Sequence, residues 1–171
     1  MPRLLVLGCS ARKHRTPGHV AAWYRYDGAL FRVCKRLQAE RRFPDDVRVR
    51  IISAEHGVLT PDAPIAWYER RLDPSRAAEL RDGVTEALRR AVEDERASEV
   101  YLALGAAYRA AVGPLGAGIS VRGDPGGIGT MQSRLRRWLA PPRPDDPQLR
   151  LPLGTHRSST TDVPSAPAIP G

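Results

Sequence analysis

Apolar positions along the chain fall into two alternating periods. Leu4, Leu5, Val6 and Leu7 make a short apolar run ending at Gly8, the pattern of a strand buried on both faces. Over 26–42, Leu30, Phe31, Cys34 and Leu37 recur at helical spacing while Arg32, Lys35 and Arg36 take the opposite face. Val47, Val49 and Ile51 alternate across 47–53 and predict a second strand. The stretch after it contains Pro61 and Pro64, which predicts a loop at first. Asp73 then caps a helix with Pro74 at its first position, and Leu80, Val84, Leu88, Ala91 and Val92 mark its buried stripe. A third strand is expected over 99–104, with Gly105 turning into a short helix that ends before Gly113-Pro114. Ile119-Ser120-Val121 reads as a short fourth strand. Gly126-Gly127-Ile128-Gly129 then leads into a helix with apolar Met131, Leu135, Trp138 and Leu139. Strand–helix alternation of this kind predicts a single three-layer, Rossmann-like α/β domain over 1–140, with a mostly parallel sheet of about four strands. From 141 to 171 the chain is rich in Pro, Ser and Thr and lacks apolar periodicity, which predicts a disordered tail.

Composition narrows the class. At 171 residues the chain is long enough for one domain with a real core. No apolar run is long enough to span a bilayer, and the start turns polar too soon for a signal peptide, so a cytoplasmic protein without a membrane partner is expected. Two cysteines, Cys9 and Cys34, make no disulfide framework. The net charge of +8 is uneven: residues 1–50 hold twelve Arg or Lys against four Asp or Glu. A basic half attracts phosphates or nucleic acid, so DNA or RNA is a candidate partner beside a small molecule. The competing reading is a solvated, arginine-rich surface, since Lys13 and Lys35 are the only lysines.

The candidate chemistry sits at strand ends, where open α/β sheets bind ligands. Cys9-Ser10-Ala11-Arg12-Lys13 follows the first strand, and Ser53-Ala54-Glu55-His56-Gly57 follows the second. A thiolate or neutral amine is a nucleophile, which makes Cys9 and Lys13 catalytic candidates. Ser10 and Ser53 offer hydroxyls to a phosphate, a base edge or the local backbone. A histidine suits acid–base work near neutrality, so His56 is the candidate acid or base with Glu55 as its helper. Tyr24, Tyr26 and Trp67-Tyr68 are candidates to stack on a planar ring, with Tyr26 and Tyr68 assigned to the slot, and Gly127 and Gly129, before a helix, are candidates to approach a phosphate through backbone N–H groups. The plain alternatives are a buried thiol, a surface lysine, a turn-capping histidine, packing aromatics and an ordinary glycine turn. No P-loop, HExxH, CxxC or G-x-S-x-G pattern occurs, so no metal or cofactor is expected.

Three stretches carry a resemblance: Gly8 to Lys13, Tyr26-Asp27-Gly28-Ala29-Leu30-Phe31, and Ile52 through Pro61, with Tyr68 at a loop tyrosine position. On these the chain resembles the uncharacterised bacterial and phage family called domain of unknown function 6884, over roughly 3–139. That resemblance implies a fold without an assigned activity. The Cys9-x-x-x-Lys13 spacing is also similar to the Pro-Cys-x-x-x-Lys motif of archaeosine-synthase-type enzymes, which implies a nucleophilic Lys13 with Cys9 beside it. Here Gly8 replaces the preceding proline, and His14-Arg15 replaces the Pro-Tyr that follows. The rim broadly resembles that of uracil-DNA-glycosylase-type α/β folds.

The expected function is an enzyme acting on a nucleobase, nucleoside or modified base in nucleic acid, by N-glycosidase or transglycosylase-like hydrolysis or exchange. The alternative is a non-catalytic nucleotide-sensing or nucleic-acid-binding module.

Overall fold

The computed structural model describes residues 1–123 and 125–140. The predicted tail, 141–171, lies outside the described residues. In chain order the elements are β1 (Arg3–Gly8), β2 (Val20–Ala21), α1 (Ala22–Arg25), α2 (Ala29–Ala39), β3 (Val47–Ser53), β4 (Gly57–Leu59) and β5 (Pro64–Ile65). There follow α3 (Pro74–Asp94), β6 (Glu99–Ala103), α4 (Ala106–Ala110), β7 (Ser120–Arg122) and α5 (Ile128–Leu139). The main sheet has the order β4-β3-β1-β6-β7; β3, β1, β6 and β7 run parallel and β4 is an antiparallel edge.

Each element follows from its residues. β1 lies between two parallel neighbours, and its Leu4 to Leu7 are fully buried, Leu5 and Leu7 on one face of the sheet, Leu4 and Val6 on the other. α2 and α5 cover the first face: Phe31, Cys34, Leu135 and Leu139 share a cluster with Leu5 and Leu7. α3 covers the second, where Val84, Leu88, Ala91 and Val92 meet Leu4 and Val6. Full burial of each such aliphatic side chain is worth about 1.5–3 kcal/mol. The predicted cap is present, with Asp73 accepting from the Arg76 N–H at 2.7 Å and Pro74 at the first helical position.

The sheet has five strands where four were expected. The addition is β4, which lies in the stretch predicted as a loop. Gly57 makes it: its φ of +74° lets the chain reverse after His56, so that Val58 pairs with Ile52. A small β2–β5 ribbon, Val20 opposite Ile65, organises the remainder of that stretch.

Topology sets the site. The chain passes from β1 to β3 on one side and then returns to β6 on the other. The strand order therefore reverses beside β1, and ligand crevices form at such reversals, outside the carboxyl ends of the strands.

Candidate functional site

Cys9 stands at that reversal. Its backbone N–H donates to the Ile52 carbonyl at 2.8 Å, so the β1–β3 ladder continues one residue past β1. Its thiol shares a 2.8 Å hydrogen bond with the Tyr108 hydroxyl, which joins the end of β1 to α4, the helix after β6. Gly8 permits this approach, since a Cβ there would lie 3.0 Å from the Tyr108 ring.

Lys13 is held by backbone pairing. It forms an antiparallel bridge with Tyr26, flanked by His14 N–H to Arg25 carbonyl at 2.8 Å and Asp27 N–H to Arg12 carbonyl at 3.0 Å. Its ammonium lies 4.6 Å from the centre of the Tyr68 ring, a cation–π arrangement. Partial burial disfavours the ammonium and lowers the Lys13 pKa below the ordinary lysine value, against an opposing pull from Cys9 and Glu69.

Tyr68 joins the two strand-end clusters. Its hydroxyl bonds the Tyr26 hydroxyl at 2.6 Å and the Ser53 hydroxyl at 2.8 Å. Burial raises the pKa of Tyr68 and of Tyr108, with Cys9 adding to both, and pushes Tyr26 up to about 12. All three phenols therefore stay protonated near neutral pH and remain able to donate. The exposed His56 ring stands edge-on to Tyr68 with centroids 5.3 Å apart.

Cys9, Lys13, Tyr26, Ser53, Tyr68 and His56 thus come together, but their surroundings separate their parts. Tyr26 is fully buried and its ring packs on Phe31 at 5.4 Å, so it has no face to offer a substrate; its hydroxyl positions Tyr68. Ser53 is also fully buried, and its hydroxyl accepts from the N–H groups of Glu55 and His56 at 3.2 and 3.1 Å, which shapes the turn. Lys13, Tyr68 and Tyr108 are half-buried and His56 is exposed, so these four can meet a ligand.

Other expected members are engaged elsewhere or lie apart. The Glu55 carboxylate pairs with Arg70 at 3.2 Å, not with His56. The Ser10 hydroxyl donates to the Arg12 carbonyl at 2.6 Å and accepts from the Gly28 N–H at 3.1 Å, tying the lysine loop to the start of α2. The cationic face of α2 is also occupied: Arg32 pairs with Asp27, Arg36 with Glu40, and Lys35 donates to the Tyr26 carbonyl at 2.7 Å. Gly127 caps α5 and Gly129 lies in its first turn, both exposed, with no bond to the cluster among the described residues.

Sequence reading missed three residues. Tyr108 lies in the helix that follows β6, and its sequence signal is that it comes just after a third strand end, where the rule for ligand crevices applies equally. Arg25, fully buried, donates to the carbonyls of His14, Thr16, Gly18 and Ile65 and so fixes the loop beyond Lys13. Arg76 holds the Glu55 turn by donating to the Ala54 and Glu55 carbonyls at 2.9 and 3.1 Å. Nothing in the sequence distinguishes these last two from other arginines. Among the described residues no group of three or more His, Cys, Asp or Glu side chains is arranged to hold a metal ion, and no helix is long and apolar enough to cross a membrane.

Among protein families, the model described as Family of unknown function (DUF6884) matches residues 4–132, a span that contains every residue of the cluster. No curated protein and no solved structure matches the chain. A likeness to archaeosine-synthase-type enzymes is not shown.

Proposed function

The chain belongs to DUF6884, a family of unknown function, and from its residues we propose an enzyme that acts on a nucleobase, nucleoside or modified base in nucleic acid by cleaving or exchanging the glycosidic bond. The observation that carries this reading is the Lys13 amine, held over Tyr68 beside Cys9 with its pKa lowered by burial, at the point where the strand order reverses. Lowering the pKa leaves more of the amine unprotonated near neutrality than in an ordinary lysine, and an unprotonated amine accepts a proton.

In this reading Lys13 takes a proton from water, or from the acceptor in an exchange, as its oxygen or nitrogen bonds to the sugar carbon. The bond to the base breaks with its electron pair, and His56 at the rim returns a proton to the leaving base. Tyr68 and Tyr108, kept protonated by burial, donate to the polar edge of the base. Cys9 positions Tyr108 through their hydrogen bond. Chemistry of this type belongs in the cytoplasm, where nucleotides and nucleic acid are at hand.

The test is chromatographic detection of free base after incubation with nucleosides, nucleotides and short DNA and RNA oligomers. The wild type is expected to release base, and Lys13→Ala to lose at least a hundredfold in rate while keeping its melting temperature. If ligands raise the melting temperature but no substrate ever yields free base, the protein is a sensor and the enzymatic reading is wrong.

A further inference from the structure

The two segments that supply Lys13 and Tyr68 continue into a second feature. An open cavity of about 420 Å³ is lined by Arg15, Thr16, Pro17, Gly18, Ala66 and Trp67. The Arg15 guanidinium lies 5.4 Å from the Trp67 ring centre, a second cation–π pair beside that of Lys13 and Tyr68. Trp67 keeps 41% of its surface exposed, although a tryptophan gains more than most residues from being covered. Arg15 is exposed and has no carboxylate partner among the described residues, unlike Arg12, Arg32 and Arg36. The lining is already ordered, because Arg25 donates to the Thr16 and Gly18 carbonyls, each at 2.8 Å.

We infer that this cavity holds the neighbouring nucleotide of a single-stranded nucleic acid whose reacting base lies at Lys13 and Tyr68. Trp67 adjoins Tyr68, with Cα atoms about 3.8 Å apart, and Arg15 follows Lys13 by two residues, so both segments of the Lys13 site lead into the cavity within the reach of one nucleotide. A base stacks on the part of the indole that Arg15 leaves exposed, whatever its sequence, and the planar guanidinium of Arg15 takes a phosphate through two parallel N–H bonds. A free nucleoside filling the Lys13 site would leave both residues uncovered. This inference rests on the base-directed reading of the Lys13 site and narrows its substrate to a base within a strand.

The test measures the binding of labelled ten-nucleotide DNA and RNA, and of a mononucleotide, to the full chain and to its Trp67→Ala, Trp67→Phe and Arg15→Gln variants. Base release is followed in the same samples. Trp67→Ala is expected to weaken oligomer binding about tenfold, in line with the loss of one stacked base, while mononucleotide binding stays unchanged. Trp67→Phe is expected to restore most of the loss, and Arg15→Gln to reduce the salt dependence by about one phosphate contact. The DNA and RNA arms identify the sugar. Oligomer affinity that is absent in the wild type, or unchanged in both Trp67→Ala and Arg15→Gln, overturns the inference even if base is released from nucleosides. Binding that depends on Trp67 without base release upholds the nucleotide cavity and removes the glycosidic chemistry instead.

Discussion

Lys13 is an ordinary residue in an unusual position. The backbone bridge to Tyr26 holds its stem down, and the Tyr68 ring replaces part of the water that would solvate its ammonium. Desolvation penalises the charged form, so the folded protein releases this proton more readily than a free lysine does. Any step that needs the neutral amine therefore accelerates as pH rises, with its midpoint below the ordinary 10.5. Competitive acylation of Lys13 across a pH series, read by mass spectrometry, is expected to give such a midpoint. A midpoint at or above 10.5 would mean that Cys9 and Glu69 outweigh burial and would remove the proposed base.

At the scale of elements, two glycines that both cap the start of a helix have different duties. Gly28 precedes α2, and a Cβ there would lie 2.5 Å from the Ser10 Cβ, a contact that only backbone movement relieves. Gly127 precedes α5 and has open space around it. Gly28→Ala is therefore expected to cost about 1–3 kcal/mol through overpacking and to pull the Ser10–Lys13 loop away from Tyr68. Gly127→Ala, at a helix cap where glycine is preferred to alanine, is expected to cost only about 0.5–1 kcal/mol. Urea denaturation of the two variants measures both; equal losses would mean that α2 and the lysine loop are not coupled in this way. Helix starts look alike in sequence, and only the close approach of a second segment makes one of them intolerant.

At the scale of the whole molecule, the strand order concentrates chemistry at one end of the sheet. The ends of β1, β3 and β6 deliver Cys9, Ser53 and, through α4, Tyr108 to one crevice. The other end is closed by Arg3, which pairs with Asp46 at 2.7 Å and donates to the Trp138 carbonyl at 2.9 Å. A bound nucleotide is expected to slow amide hydrogen exchange at Cys9–Lys13, Ser53–His56 and Gly105–Tyr108 and to leave Asp46–Val47 and Ser98–Glu99 unchanged. Protection confined to the Asp46 end would move the site to the opposite edge.

The elements were legible in the sequence because burial imposes a period: two for the strand with one alternating face, 3.6 for the helices, and an unbroken apolar run for Leu4 to Leu7. The cap at Asp73-Pro74 and the two strand-end clusters were legible for the same reason, as local patterns with local causes. β4 was not, since three residues carry too little periodicity and only the reversal at Gly57 makes them a strand. The part played by each site residue was equally hidden. Tyr26 and Tyr68 read alike as aromatics, yet one is sealed against Phe31 and the other faces Lys13. Glu55 adjoins His56 in the chain but turns to Arg70. Tyr108 stands ninety-nine residues from the thiol it bonds. The sequence by itself determined which segments bury their faces, because that depends on neighbours along the chain. Only the tertiary structure decided which hydroxyls, amines and rings meet, because hydrogen bonds and desolvation depend on neighbours in space, and strand order sets those.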